Sequence, residues 1–134
     1  MKRPVNIVMI ALTALLMSAM LAHLIGRGFH RHPHPAQWVV EGGDPQRGKG
    51  LLVEHGCASC HVIPGIRSAR ARVGPQLIGI REQLYIAGRL QNTPENMVRW
   101  IHDPEAIDPL TAMPTVEMTE QDARDMAAYL LAQD

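Results

Sequence analysis

Two thiols and an imidazole fall within five consecutive residues of this chain, Cys57-Ala58-Ser59-Cys60-His61. Cys-x-x-Cys-His is the arrangement for attaching a c-type haem. Thiols at that spacing can add across the two vinyl groups of one porphyrin edge while the adjacent imidazole reaches the iron, so attachment and ligation form one unit. Rival chemistries need other surroundings. A thioredoxin-like redox pair wants a βαβ setting, and a zinc site wants two further ligands at suitable spacing. The chain has no other cysteine, and the pattern around the pair is helical. A disulfide between the two would close a very tight loop. One covalently attached haem c, with Cys57 and Cys60 as attachment points and His61 as an iron ligand, is the expected chemistry.

Helices must place that motif. Asp44-Pro45 is an N-cap followed by proline at the first helical position, and Gly48, Leu51, Leu52 and His55 follow at helical spacing. Thr93-Pro94 repeats the start signal, with Met97, Trp100 and Ile101 on one face and Asp103-Pro104 as the stop. Thr119 can cap a last helix, whose stripe is Ala123, Met126, Ala127 and Leu130. No alternating strand pattern intervenes, so the expected domain is all-α. Only Tyr85, Trp100 and Tyr129 supply aromatic rings to it, and a small domain short of core commonly recruits a cofactor.

The 134 residues suffice for one small domain plus an appendage. Thirteen basic residues balance thirteen acidic ones, which gives no charge argument for nucleic acid. From Val5 to Ile25 the chain is almost wholly apolar behind Lys2 and Arg3, long enough on a helix to span a bilayer once. The expectation is an uncleaved membrane anchor over 1–27 with the N-terminus cytoplasmic and the rest exported. A cleaved signal peptide is the alternative, opposed by the length of the apolar run and the lack of a small-x-small site. His30, His32, His34 and two prolines make 28–41 a tether rather than a metal site, because flexible spacing fixes no geometry. The haem domain is then 42–134.

Residues 42–134 resemble class I c-type cytochromes, and the whole chain resembles bacterial oxidase-associated monohaem examples. The likeness is carried by Gly43-Asp44 with Gly48, Gly74-Pro75-Gln76-Leu77, Trp100-Ile101-His102-Asp103-Pro104, Thr111-Ala112-Met113-Pro114 and Ala128-Tyr129-Leu130. It implies the cytochrome c fold, helices and loops wrapped around one haem, here preceded by one N-terminal transmembrane helix. It implies that Gly48 packs on Tyr129 where the first and last helices cross, and that the Pro75 carbonyl orients His61. Tyr85, Asn92 and Arg81 stand as candidates near the haem propionates or a neighbouring water. By the same resemblance Thr111 bonds a propionate and Trp100 lies over the haem as a wall.

The second axial ligand decides between a carrier and a site open to small molecules. Four methionines compete. Met97 and Met126 lie on helix faces, where core packing is the ordinary role, and Met118 directly precedes the last helix. Met113 sits in a helix-free loop before a proline and matches the family's ligand position. His61 and Met113 are therefore the expected axial pair. With no substrate bond made and no catalytic residue, the resemblance implies an electron carrier in a respiratory chain. Its expected partners are the membrane, a redox donor and a terminal oxidase, with neither nucleic acid nor a small-molecule substrate. The expected location is the bacterial inner membrane, single-pass, with the haem domain periplasmic. A permanently bound subunit of an oxidase or dehydrogenase and a gas sensor are the alternatives. Arg67, Arg70 and Arg72 could form a docking patch or a solvated loop.

Overall fold

Asp44 starts the first helix around the motif by accepting the backbone N–H groups of Gln46 and Arg47 at 2.8 and 3.2 Å. Pro45, whose missing N–H is no loss at the first helical position, opens helix Pro45–Glu54. Gly48, Leu51 and Leu52 form its buried face. Gly56, at φ +77°, turns the chain out of this helix into the 3-10 turn Cys57–Ser59.

The structure is a computed structural model. It describes residues 7–28, 35–67 and 73–133, with side-chain surroundings for 9–23, 37–67 and 73–133. The helices are α1 (Ile7–Gly28), α2 (Pro45–Glu54), α3 (Pro94–His102), α4 (Pro104–Ile107) and α5 (Glu120–Ala132). Thr93 caps α3 through the Asn96 N–H, and Met97, Val98, Trp100 and Ile101 are its buried face. Asp103 ends α3 and in the same position caps α4 through the Ala106 N–H at 3.1 Å. Thr119 and Asp122 close a reciprocal capping box at the start of α5. The α5 stripe is then buried from Ala123 to Leu131 with only Arg124 partly open.

The sequence suggested no strand, yet Tyr85–Ile86 (β1) and Leu90–Gln91 (β2) pair antiparallel. Two-residue strands are too short to leave an alternating pattern. The turn between them is built by Ala87 and Gly88, both at positive φ (49° and 69°), with Arg89 N–H donating to the Ile86 carbonyl at 2.9 Å. Positive φ at both central positions is the geometry that suits a hairpin.

The crossing of α2 and α5 brings Gly48 against backbone. A Cβ at Gly48 would collide with the α5 backbone at Asp125 and Met126, so glycine is required where the two helix backbones meet. Tyr129, one helical turn further on, reaches past the crossing. Its hydroxyl donates to the Pro64 carbonyl at 2.7 Å and its ring tip lies against Gly65. Burial raises its phenol above the ordinary value. Beside Gly48 a carboxylate is buried on the α5 stripe. Asp125, 1% exposed, accepts the Asp44 N–H and the Gln121 amide, each at 2.8 Å, and pairs with Arg47, which also pairs with Asp122.

The chain divides into two compact units, Met1–His32 and Pro33–Asp134. In the second, Val40 is buried and Trp38 packs on the core, so this end of the expected tether belongs to the folded unit. In the first, α1 satisfies its own hydroxyls, Thr13 and Ser18 bonding back to carbonyls within the helix. The expected transmembrane anchor over 1–27 does not hold. Among the described residues no helix is long and apolar enough to cross a membrane. The transmembrane helix of the fold, the membrane as a partner, and the single-pass inner-membrane location with a periplasmic haem domain all rested on that span and fall with it. Lys2, Arg3, His30, His32, His34, Arg70 and Arg72 lie outside the described residues.

Candidate haem site

Cys57 and Cys60 are both free thiols, half-buried, in the turn that leaves α2. The Cys57 and Cys60 backbones are held by a tight set of turn bonds, in which the Cys60 and His61 N–H groups both donate to the Cys57 carbonyl. Burial pushes the Cys57 thiol above its ordinary value, and the neighbouring Cys60 adds to the effect. Among the described residues no group of three or more His, Cys, Asp or Glu side chains could hold a metal ion, so the zinc alternative finds no ligand set there.

The loop after the motif folds back alongside it. Gly74 N–H donates to the Cys60 carbonyl and Leu77 N–H to the Val62 carbonyl, both at 2.9 Å, bracketing His61. Between these two bonds the His61 Nδ1 meets the Pro75 carbonyl at 2.7 Å. A carbonyl only accepts, so Nδ1 carries the proton and Nε2 keeps a free lone pair. A hydrogen-bonded partner on one ring nitrogen orients an imidazole and increases its basicity as a metal ligand at the other. Gly74 is part of the same device. A Cβ there would strike the imidazole ring, so glycine lets the Gly74-Pro75 backbone lie against it.

The remaining sequence-derived residues fall into two groups. Trp100 is buried in the core, and Cys57, Leu77, Ile80, Leu90 and Met113 pack against that same core, so the motif and Met113 share one apolar environment. Thr111 faces Met113 from its own loop, its hydroxyl oxygen accepting the Met113 N–H at 3.1 Å. Asn92 donates both amide protons, to Ile80 and Gln83 carbonyls at 2.7 and 2.9 Å. Its buried Oδ1 has no partner among the described residues and can only accept, which suits a water rather than a carboxylate. Tyr85 is exposed on β1, and Arg81 is half-buried in the turn Ile80–Glu82. Met97 and Met126 are buried, in α3 and α5, and Met118 packs at the core margin.

Sequence reasoning missed the residues that fasten the Met113 loop. Asp103 and Glu105 accept from Thr115, and Asp108 accepts from Leu110 and Arg89. Asp103-Pro104 was visible as a helix stop, but nothing local marks an aspartate that serves two segments at once.

These donors fit a covalently attached haem: two thiols and a pre-oriented imidazole on one turn, and a thioether in the same apolar surroundings. The cytochrome c family matches residues 45–134. The chain is similar to cytochrome c oxidase subunit 2 of Alkalihalophilus pseudofirmus, with 34% identity over 85 residues, and of Bacillus subtilis, with 30% over 86. Each match covers 63% of this chain and 24% of the relative, so the chain spans about a quarter of the length of these curated relatives. The structure of cytochrome c2 from Rhodobacter sphaeroides is similar at a TM-score of 0.50 and 23% identity, covering 66% of this chain and 94% of that one, a likeness of fold.

Proposed function

We propose that this chain, which belongs to the cytochrome c family, delivers single electrons to an oxidase of the cytochrome c oxidase type. It carries a covalently bound haem c and is an electron carrier with no catalytic residue of its own. When bound, the haem supplies a reversible one-electron couple. In our reading residues 42–134 form the haem domain, Cys57 and Cys60 attach the porphyrin, and His61 and Met113 are the axial ligands. Trp100 walls the pocket, Thr111 orders the Met113 backbone, and Asn92 and Tyr85 belong to the pocket's far side.

The observation that supports this reading is the His61 Nδ1 contact with the Pro75 carbonyl, which in the neutral ring leaves Nε2 available to a metal close in sequence to two cysteines. Pro75 fixes the ring, Gly74 gives it room, and Met113 packs against the hydrophobic core. A thioether favours the reduced iron, so the His/Met pair sets a higher potential than two histidines would. Were His61 and Met113 both to hold the iron, no position would be left for a small molecule and electron exchange would be outer-sphere. The oxidase as acceptor is supported by the oxidase subunits among the relatives.

Redox-titrated absorption spectra test the ligands. The oxidised protein should show a sulfur-to-iron charge-transfer band that Met113→Ala abolishes, and persistence of the band in that variant would overturn the assignment. Rapid mixing of the reduced protein with a purified cytochrome c oxidase in air tests the partner. Re-oxidation should rise in proportion to oxidase concentration; a rate no greater than spontaneous autoxidation would remove the oxidase from the reading.

A further inference from the structure

The segment that carries Met113 is tied down at both ends, and both ties lead to the two termini of one short helix. At the N-terminal end of α4, the Asp103 carboxylate accepts the Thr115 hydroxyl at 3.0 Å as well as the Ala106 N–H at 3.1 Å. The neighbouring Glu105 carboxylate accepts the Thr115 N–H at 3.4 Å. At the C-terminal end, Asp108 accepts the Leu110 N–H on its carboxylate and the Thr111 N–H on its carbonyl, at 3.2 and 2.9 Å. The other oxygen of the same carboxylate pairs with Arg89 at 2.9 Å, a residue placed there by the β1–β2 turn. Thr111 in turn accepts the Met113 N–H. The loop 109–115 therefore cannot move away from Asp103 and Asp108 as a body without breaking a carboxylate bond at one end or the other.

We infer that Asp103 and Asp108 are positioning residues, which through Thr115 and Leu110 govern how firmly Met113 is kept at the iron. The inference rests on Met113 being the sixth ligand. An external ligand that displaces Met113 must open this loop, so its apparent affinity falls by the factor that measures how rarely the loop is open. Each side-chain hydrogen bond lost in opening weighs against displacement. Arg89 contributes less than its charge suggests, because its side chain is 55% exposed. The bonds to Thr115 and Leu110 carry the effect.

Imidazole is the probe, titrated into the oxidised full-length holoprotein and followed by the loss of the charge-transfer band. Thr115→Val keeps the shape of the side chain and removes its donor to Asp103; Asp108→Ala removes the tie at the other end. Each should bind imidazole about tenfold more tightly than wild type, with Thr115→Ser restoring the wild-type value. Arg124→Ala, which cuts the exposed pair with Glu120 on α5, should leave the affinity unchanged. Equal affinities in wild type and both loop variants would overturn the inference, as would an equal gain in Arg124→Ala, which would point to general loosening. A band that survives Met113→Ala would overturn the ligand assignment and the inference together. A band lost in Met113→Ala with Thr115→Val unchanged would overturn the inference alone.

Discussion

Asp125 ties α5 to the start of α2 at the crossing of the two helices, and local pattern gave no sign of it. An aspartate on the stripe of a helix reads as a solvated charge, whereas here it is 1% exposed with its partners Asp44 and Arg47 some 80 residues away in sequence. Burial alone would raise its pKa. The Asp44 N–H, the Gln121 amide and Arg47 outweigh burial and hold it below the ordinary value. Asp122 is lowered too, first by the Thr119 hydroxyl and backbone and then by Arg47. A carboxylate whose folded value is depressed contributes stability that is present above its unfolded pKa, about 4, and is lost as pH falls through the folded value. Urea midpoints should therefore stay level from about pH 7 to about pH 5 and drop below about pH 4. Asp125→Asn should be less stable at pH 7 and show a shallower acid decline; parallel declines down to about pH 2 would show that this carboxylate is not responsible. Asp125→Ala, which leaves the buried Asp44 N–H without an acceptor, should lose about 2 to 3 kcal/mol in urea unfolding at pH 7. By contrast Cys57, Cys60 and His61 were legible because their chemistry is written in five adjacent positions, with no tertiary partner needed to recognise it.

Element boundaries were readable wherever a cap is a single side chain next to its helix. Asp44-Pro45, Thr93-Pro94 and Thr119 all cap the helices that their sequence positions announce. What could not be read was the short and the shared: the four-residue α4, the two-residue strands, and the double use of Asp103 as stop and start. The α2–α5 crossing shows a further limit. A glycine in a helix signals close approach without saying to what, and the atoms nearest a Cβ at Gly48 belong to the Asp125–Met126 backbone. Because backbone cannot swing aside as a side chain can, Gly48→Ala must push α5 away from α2. It should cost about 3 kcal/mol or more in urea unfolding, above the usual range for overpacking a flexible core. Gly50, on the same helix with nothing near its Cβ position, is the internal comparison. Gly50→Ala should be neutral or stabilising by up to about 1 kcal/mol, since alanine favours the helix. Similar losses at the two positions would mean that the crossing is not what requires Gly48.

At the scale of the whole molecule, reading the chain by composition went astray on both sides of His32. An apolar run was read as a transmembrane span, whereas among the described residues no helix is long and apolar enough to cross a membrane. A stretch of prolines and histidines was read as a tether up to Glu41, whereas the second compact unit starts at Pro33. Composition averages over a window, and a window that is mostly polar hides one or two residues that pack. Val40 is 7% exposed, its carbonyl accepts the Gly43 N–H at 3.1 Å, and Trp38 lies against the core. These contacts predict where the chain can be shortened. A protein beginning at Pro33 should bind haem and unfold in urea with the midpoint of the full chain, because it keeps the whole second unit. One beginning at Gly42 should retain the haem spectrum yet lose about 2 to 4 kcal/mol, the burial of one valine and part of a tryptophan. Val40→Ala in the full chain should reproduce part of that loss, about 1 to 2 kcal/mol. If the chain starting at Gly42 matched the chain starting at Pro33, the packing of Trp38 and Val40 would add nothing, and the folded unit would begin at Gly42 after all.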